Sequence, residues 1–266
     1  MGKETPQGES LISMKYKALF LDVDGTIIPN KEGATISERV IETNNKASKE
    51  IHVGLATTRP MFLLSDIINK INLSAPSIVN AGAEIVDLST GIILKEHIIH
   101  TNDLSFLLGR LQVLGLPIGV DDGKNDMTFE AHKTYHTIKK VFTKGLVKAA
   151  ADDLIRDIGT LSTLAVHKVP SWEQGKFDLY FTNSQATKAL GILQVAATLG
   201  ISSSEIIGIG DGHNDLPFVI ACGLKVAMGN AVEDLKLVAD YIAPSAEEDG
   251  VADAIERFIL FAKYTT

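Results

Sequence analysis

The chain has 266 residues, 45% of them hydrophobic, with 33 acidic against 25 basic side chains and a single cysteine, Cys222. That length and apolar content suit one large globular domain or two modest ones, while the acidic balance repels phosphate backbones and anionic surfaces, so neither nucleic acid nor membrane is expected as a partner and an anionic ligand must be captured locally. A lone cysteine excludes an intramolecular disulfide framework, no apolar run approaches the ~18 residues that cross a bilayer, and a cytoplasmic protein is expected.

Residues 1–14 are polar, without the apolar stretch of a signal peptide, and Pro6 breaks the myristoylation pattern; residues 1–15 are read as a flexible tail. From Tyr16 onward, short β-rich runs alternate with helix-like stretches. A strand is expected over 18–23, a helix opened by Ser37, a strand over 51–56 and a helix over 61–69. The same rhythm returns late, with a helix over 188–199, a strand over 205–210, a helix over 215–221, a strand over 224–228 and a closing helix over 251–262. Such βαβ alternation predicts a parallel sheet, so 16–83 and 184–266 read as two parts of one α/β, doubly wound core. Residues 84–183 read differently. A hairpin (84–88 and 92–95, turning at Ser89-Thr90-Gly91), a helix near 103–114 and strands within 161–169 and 176–181 make an α+β insert.

The chemistry-bearing residues lie at the ends of the parallel strands. In "ALFLDVDGTIIP" (18–29), strand alternation would point Asp22 and Asp24 the same way, roughly 6.6 Å apart. At an effective dielectric near 20 their repulsion is roughly 2.5 kcal/mol, and a divalent cation at the carboxyl end of the strand is the natural compensation. The competing explanation is that Asp24-Gly25 only makes a turn, which leaves Asp22 unexplained. A second strand, in "IIGIGDGHNDLPF" (206–218), ends in Asp211 and delivers Asn214 and Asp215 at the start of a helix. A dinucleotide-binding turn does not fit, because His213 stands where its third glycine should be, and the sequence has no phosphate-loop Gly-Lys-Ser/Thr. In "GLATTRP" (54–60) a strand ends in Thr57, Thr58 and Arg59, all donors to phosphate oxygens; alone, this reads first as a simple helix cap. Lys188, taken alone, is an ordinary surface lysine.

Taken in order, these segments resemble the haloacid dehalogenase superfamily, and residues 227–255, "AMGNAVEDLKLVADYIAPSAEEDGVADAI", resemble its Cof-type sugar-phosphatase branch. The first motif, Asp-x-Asp-Gly-Thr, is met by Asp22 to Thr26 and the fourth, Gly-Asp-Gly-x-Asn-Asp, by Gly210 to Asp215. The second, usually Thr-Gly-Arg, reads Thr57-Thr58-Arg59. The third places its lysine at Lys188, ahead of Leu199-Gly200-Ile201, with Ala189 where glycine is usual. Only 35 positions separate Asp22 from Thr57, whereas 131 separate Thr57 from Lys188, so the resemblance implies a Rossmann-like core whose insert is a cap of the second type (C2).

That resemblance implies an Mg²⁺-dependent phosphatase of small phosphorylated metabolites, sugar phosphates foremost. Asp22 would be the nucleophile and Asp24 the acid and base. The cation would be held by Asp22, the backbone carbonyl of Asp24 and Asp211, with Asp215 in support. Thr57, Lys188 and Asn214 would hold the phosphoryl oxygens, Thr58 and Arg59 would also line the substrate site, and the cap would close over the leaving group. His132, His136, Trp172 and Tyr180, all in the insert, are read as exposed or packing residues outside the site. The alternatives are a phosphotransferase or phosphomutase on the same scaffold, and a non-catalytic phospholigand-binding protein. The latter would be marked by loss of a catalytic aspartate, and none is missing.

Overall fold

In a computed structural model the described residues are 15–261, except Thr160 and Trp172. The expected tail, Lys15 apart, lies outside the described residues, as do Trp172 and Ala262 of the expected closing helix.

Strand β1 (Ala18–Leu21) is completely buried, as a four-residue apolar run flanked by parallel neighbours must be. It stops two residues earlier than the sequence pattern suggests. The Asp22 N–H still donates to the Ile209 carbonyl at 3.0 Å, after which the chain turns, with Ile27 N–H on the Val23 carbonyl and Gly25 at φ 84°. Asp22 and Asp24 therefore do not share a strand face: one closes the strand and the other rides the turn beyond it. Helix α1 (Glu38–Ala47) opens at Ser37, whose hydroxyl accepts from Val40 N–H, and returns the chain to β2 (His52–Leu55), parallel to β1. The helix expected over 61–69 is two short pieces, a 3₁₀ turn at Met61–Leu63 and α2 (Ser65–Ile68), interrupted at Leu64 (φ −107°, ψ 0°).

Next comes a small antiparallel sheet of β3 (Ser77–Val79), β4 (Glu84–Asp87) and β5 (Ile92–Glu96). The hairpin at the start of the expected insert thus pairs with β3, and Ile85, Val86 and Leu88 pack in the same hydrophobic cluster as Phe20 and Leu55. By its packing, then, the hairpin belongs with the core. Helix α3 (Thr101–Val113) begins a second cluster, shared with β6 (Gly119–Asp121), β8 (Lys140–Val147), α4 (Lys148–Ile158), β9 (Leu164–Pro170) and β10 (Lys176–Asn183); β7 (Asp126–Thr128) completes an antiparallel sheet of order β7-β6-β8-β10-β9. Val141, Leu179 and Phe181 of that sheet pack with Leu107 of α3 and Leu154 of α4, which leaves its other face turned to the core. The two chain crossings lie side by side, Asn183 Nδ2 donating to the Ile98 carbonyl at 3.0 Å.

Helix α5 (Lys188–Leu199) resumes the core, followed by β11 (Ile206–Gly210), α6 (Leu216–Ala221), β12 (Leu224–Ala227), α7 (Glu233–Val238), β13 (Tyr241–Ile242) and α8 (Gly250–Ile255), which continues into a π-helical turn at Glu256–Leu260. The core sheet is wholly parallel, in the order β13-β12-β11-β1-β2. Because β1 is paired to β2 on one side and to β11 on the other, the chain reverses its winding beside β1. Loops after β1, β2 and β11 converge there, at the place where open α/β sheets bind ligands.

Candidate active site

The pairing of β1 with β11 sets Leu21 opposite Ile209, so the residues just beyond, Asp22 and Asp211, emerge as neighbours. Asp215 joins them from the start of α6. Each of these three can offer an oxygen lying within 4.8 Å of the other two. Asp215 also shapes its own loop, Oδ2 accepting from the N–H groups of Asp211 (3.1 Å) and Gly212 (2.8 Å). Lys188, the first residue of α5, reaches into the cluster because Thr187 caps that helix, accepting from Leu190 N–H. The lysine Nζ donates at 2.6 Å to both Asp22 Oδ1 and Asp215 Oδ1.

The turn after β1 packs against Asp211 so closely that a Cβ on Gly25 would overlap the carboxylate. With φ at 84°, only glycine suits that position. Thr26 Oγ1 donates to Asp211 Oδ1 at 3.3 Å, and Asn230 Nδ2 donates to the Gly25 carbonyl at 2.8 Å and to Asp211 Oδ2 at 3.5 Å. Asn230 was not singled out from the sequence, although it stands in the 227–255 stretch that carries the resemblance.

Three carboxylates around one ammonium leave negative charge uncompensated. Burial pushes the Asp22 carboxyl up to about 7, with repulsion from Asp215 adding and Lys188 opposing; Asp24 contributes least among these effects. Burial, then Asp215 and Asp22, push Asp211 up to about 9. Burial works against the Lys188 charge, but Asp215 and Asp22 outweigh it and hold the lysine above its ordinary value. An all-oxygen donor set with surplus negative charge fits a hard divalent cation, and the chain therefore carries an acidic group able to hold a metal ion.

Asp24 has a different setting. Its carboxylate is 37% exposed and is met by Arg59 through a two-point contact, Nε to Oδ2 at 2.9 Å and Nη2 to Oδ1 at 2.5 Å. The guanidinium expected to face a ligand is engaged by this neighbour. Thr57 is completely buried, its hydroxyl accepting from Arg59 N–H at 3.1 Å.

Above the cluster is a cavity of about 280 Å³. From the core it is lined by Asp22, Asp24, Thr58, Arg59, Asp211 and Asn214, while Thr57, Lys188 and Asp215 lie beneath the surface. The opposite wall comes from the insert: Lys140, Lys144, Asp126, Asp178 and Tyr180. Tyr180 therefore does line the site, contrary to the sequence reading, whereas His132 and His136 are exposed residues that do not. Sheet alternation explains the wall, because Lys140, Phe142 and Lys144 share the face opposite Val141. A bulge sets Lys144 and Gly145 against the single residue Asp178, whose carboxylate accepts from Gly145 N–H at 2.9 Å. The alternation Lys140-Val141-Phe142-Thr143-Lys144 was the available signal for this wall.

A family model described as haloacid dehalogenase-like hydrolase matches residues 19–140 and 120–255. Among curated proteins, a phosphoglycolate phosphatase of Methanobrevibacter smithii is 26% identical over 250 residues, covering 93% of this chain and 100% of its own. A 5-amino-6-(5-phospho-D-ribitylamino)uracil phosphatase of Bacillus subtilis is 27% identical over 262 residues, covering 92% and 96%. Among solved structures, a haloacid dehalogenase-like hydrolase from Bacteroides thetaiotaomicron superposes with a TM-score of 0.74 at 27% identity, covering 91% of this chain and 99% of that one. A subclass IIB sugar phosphatase of the same superfamily gives 0.73 at 23% identity, covering 91% and 98%, which shows the shared fold.

Proposed function

The chain belongs to the haloacid dehalogenase-like hydrolases, and from that membership we propose that it is an Mg²⁺-dependent phosphatase of small phosphate monoesters, sugar phosphates among them. The observation that carries this reading is Lys188 bridging Asp22 and Asp215 at 2.6 Å each, with Asp211 alongside, under a cavity roofed by the insert. The relatives named as phosphatases support it.

In this reading the Asp22 carboxylate attacks phosphorus. An Asp22 O–P bond forms as the ester P–O bond breaks, splitting one displacement into two. Asp24 gives its proton to the departing alkoxide, then takes one from the water that attacks the aspartyl-phosphate, releasing inorganic phosphate and restoring Asp22. Arg59, fixed on both Asp24 oxygens, orients that acid and base. Lys188 and Asn214 hold phosphoryl oxygens, since this chemistry depends chiefly on positioning and charge stabilisation, and Thr57 holds the loop beneath them. Asp22, Asp211 and the Asp24 carbonyl, with Asp215 in support, would hold Mg²⁺, which when bound neutralises the carboxylates and the incoming phosphate. The insert roofs the site as a cap, excludes bulk water and faces the leaving group.

The test is phosphate release from a panel of hexose, pentose, polyol and nucleoside monophosphates with Mg²⁺ present. At least one ester should be hydrolysed, and Asp22→Asn should lower the rate by at least ~1,000-fold while leaving the circular dichroism spectrum unchanged. An inactive wild type, or an Asp22→Asn variant as active as the wild type, would refute the reading.

A further inference from the structure

Three successive carbonyls of the loop after β2 are each taken by a donor. Thr57 accepts from Ala81 N–H at 3.0 Å, Arg59 from Asn80 N–H at 2.8 Å, and Thr58, between them, from Lys140 Nζ at 3.4 Å. The first two donors come from the core, where Asn80, Ala81 and Gly82 all adopt left-handed backbone (φ 54°, 60° and 99°), an arrangement that proteins keep only where the surroundings over-determine it. The third comes from the cap. Lys140 is ion-paired to Asp121 Oδ2 at 3.2 Å, and Asp121 Oδ1 accepts from Asn80 Nδ2 at 3.1 Å. The contacts close a circuit: Thr58 carbonyl, Lys140, Asp121, Asn80 and the Arg59 carbonyl. Asn80, Asp121 and Lys140 are all buried, so water competes little for any link.

Resting on the phosphatase reading, we infer that Lys140 is a positioning residue of the reaction: from the cap it sets the Thr57–Arg59 loop, and through Arg59 the acid and base Asp24, so that the loop is correctly placed only when the cap is seated. Lys140 also lines the cavity, where it could instead contact the leaving group, and the two roles predict different kinetics. The loop serves the phosphoryl group and Asp24, which are common to every substrate, whereas a leaving-group contact depends on the ester.

The test measures kcat and KM on three alkyl esters, a hexose phosphate, a pentose phosphate and glycerol phosphate. Lys140→Met alone would bury an uncompensated Asp121, so it is combined with Asp121→Asn, which keeps the acceptor for Asn80 and removes the stranded charge; Asp121→Asn alone is the stability reference. The double variant should melt close to that reference and lose about ten- to a hundredfold in kcat, by a similar factor on all three esters and with little change in KM. Lys140→Arg, which can still donate to both Asp121 and Thr58, should recover most of the loss. Wild-type kcat in the double variant, or a loss confined to one ester, would overturn the inference while leaving the phosphatase reading intact; a wild type inactive on every ester would remove both.

Discussion

Asp24 and Arg59 were each singled out from the sequence, but not as partners of one another. The sequence reading set Arg59 facing substrate phosphate, because an arginine beside two threonines at a strand end is a ready anion donor. In the fold its guanidinium donates from one edge to both Asp24 oxygens. If its work is to orient the acid, its value depends on how badly the leaving group needs a proton. Arg59→Met should therefore cost at least about tenfold in kcat on alkyl phosphates, whose alkoxides leave only with protonation, and far less on an aryl phosphate. Melting temperature should barely change, since the pair is about a third exposed. An equal loss on both ester types would instead assign Arg59 to the phosphoryl group.

At the scale of elements, the parallel core was legible because its strands are apolar runs ending in turn residues, and α5 runs over Lys188–Leu199 as its periodicity suggests. The cap was legible only in part. Strands β6, β7 and β8 and helix α4 fall in a region where ordinary alternation carries no distinctive motif, and the site residues Lys140, Lys144 and Tyr180 look like any sheet surface until the opposing core is in view. The hairpin β4-β5 was grouped with the insert because the βαβ rhythm breaks at its first strand; its apolar face packs with Phe20 and Leu55.

One buried element contact has a pH consequence. His167 on β9 sits against Thr182 on β10, Nε2 to Oγ1 at 2.8 Å. Because that hydroxyl already donates to the Ala186 carbonyl, the imidazole must be the donor. Burial, then the nearby Lys188 charge, push its pKa down to about 4. Below the ordinary value of 6.5 the unfolded chain takes up a proton that the folded chain refuses, so more protons are bound in the unfolded state and stability falls as pH falls from 6.5 toward 4. From pH 7 to pH 5 the wild type should lose ~2 kcal/mol more than His167→Gln, whose amide keeps a donor without titrating. Urea denaturation of both proteins at the two pH values measures this, and parallel losses would count against it.

For the whole molecule, the site is a local concentration of an imbalance that runs through the chain, with net charge −8. Folding gathers Asp22, Asp211 and Asp215 around one lysine, and the upward shifts of Asp22 and Asp211 show that this gathering costs free energy. The apolar core of the parallel sheet supplies enough stability to hold them together. A cation that binds the folded chain and not the unfolded one should return part of that cost as RT ln(1 + [Mg²⁺]/Kd), about 2.7 kcal/mol at a hundredfold excess over Kd. Asp211→Asn separates the two effects. It removes a carboxyl that folding pushes up to about 9, and with it the cost of burying that group, while keeping an acceptor for Thr26, so with a chelator present it should melt above the wild type, and on adding Mg²⁺ it should gain little where the wild type gains several degrees. Its phosphatase activity should be lost at the same time, as expected where a strained charge cluster serves function at the expense of stability. Thermal melts of both proteins in chelator and in Mg²⁺ decide it: a wild type indifferent to Mg²⁺, or a variant less stable than the wild type without it, would show that the carboxylates are balanced by the protein alone.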